Sequence, residues 1–224
     1  MELQEWIKMQ NNRIRQNAEV VTLNQAYHIS SNPKIKRFIP AISQRQAPSE
    51  DRTVPRVCVS PHLVGAICGH AAVSMDAIDS WFDKKMFEMS IYDMPFTEYV
   101  KPNSKLVFDA EDTDEHWIVP NDLRSVTFKA PIIGKFVLYS SVDIFDLGVS
   151  TFELSFIVHA ERPICVYGKQ YHTGYFKVVI ESKSKIGKYT WGNAYKLKEI
   201  IPSNAGEYRS ITNRINKNIT VGGA

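Results

Sequence analysis

The sequence predicts an α+β fold with split antiparallel sheets. Three observations carry that expectation: an amphipathic stretch at the N-terminus, a strand running directly into a helix near residue 60, and an almost unbroken series of β-type segments after residue 130. Residues 1–130 read as an α+β domain with an N-terminal helix and a second helix behind its second motif strand. Residues 131–224 read as a mostly β C-terminal domain, or as an extension of the first domain's sheet.

The first element is a helix over residues 2–19. Leu3, Trp6, Ile7, Ile14 and Ala18 fall near one stripe, with charged and amide side chains elsewhere and no Pro or Gly between them. A strand is expected over residues 20–29, ending in Ala26-Tyr27-His28-Ile29-Ser30. Residues 31–55 carry Pro33, Pro40, Pro48 and Pro55, which remove backbone donors and restrict their predecessors, so a long loop is expected there. Loops of this length in compact domains are often functional. Residues 56–60 (Arg-Val-Cys-Val-Ser) then read as a strand. Ser60 is placed to cap a following helix and Pro61 to open its first turn. That helix, rich in small apolar residues, is expected to be buried and closely approached by backbone. A second helix over residues 80–87 follows, then short strands at 89–93, 105–109 and 116–119. From residue 132 onward, strands are expected at 133–139, 150–159, 164–167, 175–181 and 194–200. Gly168-Lys169 and Gly187-Lys188 supply turns. Residues 203–224 read as loop with a short helix.

Composition bounds the function without naming it. The chain has 224 residues, 44% hydrophobic and 23% charged, with a net charge of +3, which excludes a disordered chain, a collagen-like repeat and a coiled-coil rod. No apolar run reaches the ~20 residues that span a bilayer. The first twenty residues hold no apolar signal core, so a cytoplasmic protein without a membrane role is expected (host cytoplasm if the chain is phage-encoded). Cys58, Cys68 and Cys165 form no framework, and Cys58 and Cys68 read as buried and inert. The Asn218-Ile219-Thr220 acceptor pattern is discounted for want of any export signal. Residues 181–224 carry eight basic and three acidic side chains, a net of +5, while the remainder, with 19 basic and 21 acidic, stands at −2. That basic end supports nucleic-acid binding only weakly, because no aromatic-basic motif accompanies it.

Glycine-rich phosphate loops, HExxH, CxxC and GxSxG are absent, and His62 and His70 are too far apart along a helix to share one small ion, so no metal is expected. Three other pieces bear chemistry. His28, at a strand end before a long loop, can hydrogen-bond a ribose hydroxyl. Ser60, at a strand end before a helix, sits where phosphate or ribose is commonly held. Residues 109–115 place five carboxylates in seven residues, and Glu115 at a strand start can stabilise a cationic sugar or orient a nucleophile.

In this order, these pieces resemble the ADP-ribosyltransferase-like fold, in particular small bacterial and phage members similar to rifampicin-modifying ADP-ribosyltransferases. The likeness covers roughly residues 20–120. Tyr27-His28-Ile29-Ser30 looks like the family's first motif strand. The run from Arg56 to Ile67 looks like its second motif strand and the helix behind it. The resemblance implies NAD as substrate in a split cleft and transfer of ADP-ribose to an unknown macromolecular or small-molecule acceptor. The catalytic set would be His28, Ser60 and Glu115, with Asp109, Glu111 and Asp114 as other choices for the acid. Tyr27, His28, Ser30, Arg45, Arg56 and Ser60 would contact the dinucleotide, and Arg52 is a further choice for its pyrophosphate. Cys58 stands where the family carries an aromatic, so stacking on nicotinamide would fall to Tyr27, Tyr92 or Trp117. The alternative is a non-catalytic phage-associated binding or virion protein on the same scaffold, with self-association or virion partners.

Overall fold

The N-terminal stripe is buried, but by two helices rather than one. α1 (Leu3–Met9) buries Leu3, Trp6 and Ile7, and α2 (Asn12–Asn17) buries Ile14. Between them Gln10 and Asn11 are extended, and the Asn11 side chain accepts a hydrogen bond from the Ile14 N–H at 3.1 Å. An asparagine able to cap the next turn competes with continuing the previous one, which is why the expected single helix breaks here. The computed structural model describes residues 1–42, 50–70, 87–107, 110–121, 127–146, 149–166, 168–182 and 195–202. Expectations for residues 71–86, Gly187-Lys188 and 203–224 lie outside the described residues.

The single strand expected over 20–29 is two, β1 (Ala18–Thr22) and β2 (Tyr27–Ser30), because the two pair into different sheets. β3 (Val57–Val59) follows the loop. α3 (Leu63–Cys68) is capped by His62, whose Nδ1 accepts from the Gly65 N–H at 2.9 Å, so Ser60 and Pro61 stand before the cap instead of forming the first turn. Phe87, expected to end a helix, opens strand β4 (Phe87–Asp93). β5 (Glu98–Pro102) was not anticipated, and the described part of the strand expected at 105–109 is a turn. Asn103 makes that turn: its carbonyl accepts from Leu106 and Val107, and its side chain accepts from the Lys105 N–H at 3.0 Å. Part of the acidic run forms a one-turn helix, α4 (Ala110–Thr113), leading into β6 (His116–Ile118). The C-terminal segments are longer than their apolar cores: β7 (Ile132–Asp146), β8 (Val149–Cys165), β9 (Gln170–Ser182) and β10 (Tyr195–Pro202). β8 absorbs two expected strands through a register shift between His159 and Ile164.

Among the described residues all strand pairs are antiparallel. One sheet has the order β1-β5-β6-β3 and the other β10-β9-β8-β7-β4-β2, an α+β arrangement with a mostly β C-terminal part. β7 pairs with β4, so the C-terminal strands continue the sheet that β2 and β4 begin. β2 and β3 are the facing edges of the two sheets, tied by one bridge between Tyr27 and Ser60.

Three apolar clusters hold the layers. α1 and α2 bury their stripe against Val100 and Trp117 of the four-stranded sheet and Val119 just beyond it. α3 lays Leu63, Val64 and Ile67 on Tyr27, Ile29, Ile91, Phe136 and Phe156 of the six-stranded sheet. The third cluster, with Phe38, Val57, Val59, Tyr92 and Ile118, fills the space where the sheets part. Among the described residues no helix is long and apolar enough to cross a membrane, and no three His, Cys, Asp or Glu side chains gather as a metal site.

Gly168 turns the chain from β8 to β9 with φ at 69°, and a Cβ there would meet nothing within 4 Å. The cost of a side chain is therefore purely that of the left-handed backbone. Gly168→Ala is expected to lose about 1 kcal/mol and roughly 2–4 °C in Tm. Gly168→Asn should lose less, because Asn tolerates this region; thermal unfolding of the two variants checks the order.

Candidate functional site

The edges β2 and β3 meet at one point and then diverge. The Tyr27 N–H donates to the Ser60 carbonyl at 2.8 Å and the Ser60 N–H to the Tyr27 carbonyl at 3.0 Å. Two residues along the strands, where a continued ladder would pair Ile29 with Cys58, the Cys58 carbonyl instead accepts from His28 Nδ1 at 3.0 Å. The imidazole thus replaces a ladder bond and wedges the sheets apart. The gap is a cleft with about 380 Å3 of empty space including its open mouth, lined by Tyr27, His28, Cys58, Ser60, His70 and Glu115 among others. A carbonyl can only accept, so Nδ1 carries the proton and Nε2 of the neutral ring is left as an acceptor. Burial lowers the His28 pKa, against the opposing pull of the Cys58 carbonyl, which keeps the ring neutral at pH 7.

Ser60 is positioned from below. Its hydroxyl donates to the Thr113 carbonyl at 3.1 Å and accepts from the His62 N–H at 3.5 Å. α3 approaches this pair at Gly65, where a Cβ would stand 2.3 Å from Ser60 Oγ and 2.2 Å from the Thr113 carbonyl. Glycine is what lets the helix wall, the serine and α4 close around one corner of the cleft. Asp114 then takes a left-handed φ of 47°, reversing the chain so that Glu115 enters the cleft. Asp114 is held by Lys101 at 3.4 Å and by His116, whose Nδ1 donates to its carbonyl at 2.8 Å.

Glu115 is buried, and its Oε1 accepts from the Trp117 indole N–H at 2.6 Å. The face of the same indole is covered by the Arg56 guanidinium, 4.5 Å from the ring centroid. Arg56 is itself fixed by the carbonyls of Asp51 at 2.9 Å and Val54 at 3.2 Å. Arg56, Trp117 and Glu115 therefore form a stack behind the cleft that sets where the carboxylate points.

The residues expected at a site divide into two groups. His28, Ser60 and Glu115 come together in the cleft. Tyr27 borders it, but its ring is buried in the core and its hydroxyl accepts from the Cys165 N–H at 2.9 Å; burial raises its pKa to about 12. Ser30 lies outside the cleft lining, its Oγ accepting from the Asn32 N–H at 3.1 Å. Arg56 is buried behind the site, and Arg45 lies outside the described residues, as does Asp109. Asp114 is spent on the turn, and the Glu111 side chain lies outside what the structure describes. Tyr27, Tyr92 and Trp117, expected to stack on a ligand, are all fully buried.

Two cleft residues were not anticipated. Cys58, expected to be buried, opens onto the cleft because the sheet stops beside it. Protein surrounds the thiol on its other sides, so burial first and the Glu115 carboxylate second push its pKa well above the usual value, with Arg56 opposing. A thiol held protonated beside a carboxylate is a poor nucleophile, which disfavours cysteine catalysis. His70 follows α3 and faces His28 across the cleft; burial and then His28 lower its pKa to about 4. No local pattern marked it, since its partner lies 42 residues earlier in the chain.

No protein-family model, curated protein or solved structure matches this chain.

His70 titrates at about 4 when folded, against 6.5 as the ordinary value. As pH falls through this interval the unfolded chain takes up the proton first, so the stabilisation is complete above about 6.5 and lost progressively down to about 4. Thermal unfolding should therefore give a lower Tm at pH 4.5 than at pH 7.5. His70→Gln should flatten that decline, and a decline of unchanged steepness would assign it to other groups.

Proposed function

We propose that this chain is a NAD-dependent mono-ADP-ribosyltransferase-like protein of bacterial or phage type that transfers ADP-ribose to an acceptor. The observation that carries the reading is the meeting of His28, Ser60 and Glu115, from separate strand ends of two sheets, in one cleft. The resemblance between residues 20–120 and that family rests on the same three positions.

Each residue has a role its surroundings support. His28 presents Nε2 as an acceptor for a ribose hydroxyl on the adenosine side. Ser60 Oγ, with its proton given to Thr113, accepts from the ribose next to nicotinamide. Glu115 is a carboxylate in a mostly enclosed site, where its charge acts strongly on a cation developing at the sugar C1′. When the bond from C1′ to the nicotinamide nitrogen breaks, its electron pair leaves with nicotinamide and neutralises the pyridinium. The acceptor nucleophile forms the new bond to C1′, and Glu115 takes its proton. With Tyr27, Tyr92 and Trp117 buried, the planar ring available beside the nicotinamide is His70.

NAD is expected to raise the Tm of the wild-type chain and to be cleaved with release of nicotinamide. His28→Ala should remove both effects. Glu115→Gln should keep the NAD-induced shift and slow nicotinamide release by about 100-fold or more. Absence of any shift at millimolar NAD would favour the non-catalytic binding or virion role on the same scaffold.

A further inference from the structure

The loop between β2 and β3 passes beside the cleft. It leaves β2 at Ser30 and is pinned at Asn32, whose carbonyl accepts from the Tyr92 hydroxyl at 2.8 Å. It sets the Phe38 ring edge-on to His28 at 5.1 Å and then pairs Ala41 with Arg56 just before β3. The described part of this strap thus links the two sheet edges away from the Tyr27–Ser60 bridge and runs beside the His28 wall of the cleft.

The charge balance of the sequence around it is unlike that of the rest of the chain. Residues 20–49 contain four basic side chains (Lys34, Lys36, Arg37 and Arg45) and no Asp or Glu, a net of +4. The remainder has 23 basic and 24 acidic residues, a net of −1. Lys34, Lys36 and Arg37 are exposed, and none of them makes an ion pair. Beside them Ile39 and Ile42 are exposed at 59% and 45%, two of the three large apolar side chains so exposed among the described residues. Unpaired cations next to bare aliphatic side chains are costly to present to water without a partner that uses both.

We propose that this strap binds the acceptor, and that the acceptor is a single-stranded nucleic acid. The proposal rests on the transferase reading and names the substrate class for it. A strand offers repeated phosphates to the three cations and apolar base faces to Ile39 and Ile42, whereas a peptide of acidic residues alone offers only charge. A base stacked inside a duplex would not reach the adjoining cleft, whereas an unstacked one can be presented at its mouth. This run is separate in sequence from the basic end at residues 181–224.

The test uses the full chain and fluorescein-labelled mixed-sequence 20-mers of single-stranded DNA and RNA, titrated without NAD and read by anisotropy. Wild type should bind at least one of the two, with affinity falling steeply with salt. The triple variant Lys34→Gln, Lys36→Gln, Arg37→Gln should bind at least tenfold more weakly at about 50 mM salt. Its log–log salt slope should fall by about 2, the value for three lost single-strand contacts. Lys196→Gln with Lys198→Gln should bind as wild type. Circular dichroism confirms that the variants are folded, and the NAD-induced Tm shift is measured on each. The inference is overturned if wild type binds neither oligonucleotide, if the triple variant binds as wild type, or if polyglutamate competes as well as unlabelled oligonucleotide. It is also overturned if the triple variant loses the NAD-induced shift, since the strap would then be reading the dinucleotide's own phosphates. A wild type that binds oligonucleotide through the strap but shows no NAD response would remove the transferase reading, and with it the acceptor role.

Discussion

One pair of hydrogen bonds organises the molecule: the two that join Tyr27 and Ser60 across the edges of the sheets. Without them β2 and β3 would be two exposed edges, each with unsatisfied backbone groups. With them, and with the His28 ring occupying the Cys58 carbonyl two residues on, the sheets stay joined at one point and open beyond it. Every other feature of the cleft follows from that geometry. Ser60 is at the joint, so its side chain stays at the narrow end, and Cys58 faces the gap because the ladder has ended.

The site's electrostatics follow from the same split. Groups that line a narrow gap keep some access to solvent while most of their surroundings are protein, so burial dominates their proton affinities. It lowers both His28 and His70 and raises Cys58. The outcome is a cleft with two neutral imidazoles, an un-ionised thiol and a carboxylate whose direction is fixed by an indole and a guanidinium behind it. Such an arrangement offers little to a reaction that needs a strong nucleophile from the protein.

Much of the fold was legible because periodicity and turn chemistry are local. The Arg56–Ser60 strand, the helix behind it and the β-type C-terminal segments were read from side-chain alternation and breakers alone. What escaped was set by partners distant in sequence. The helix over 2–19 broke because Asn11 could satisfy Ile14, and the strand over 20–29 split because its halves found different sheets. β5 was missed because Glu98-Tyr99-Val100-Lys101-Pro102 has only a short apolar centre and is stabilised by pairing with β1. At the site, His28, Ser60 and Glu115 were legible as strand-end residues. The roles of Tyr27 and Arg56 were not, because only packing reveals that a tyrosine is fully covered or an arginine lies behind a tryptophan.

The hydrogen bond from the Cys165 N–H to the Tyr27 hydroxyl joins residues 138 positions apart. It fastens the strand that carries His28 to the far end of β8. A growing chain on the ribosome therefore has every cleft side chain named here well before it can complete the wall that holds them. A chain shortened to end before Cys165 would carry every cleft residue named here without this fastening.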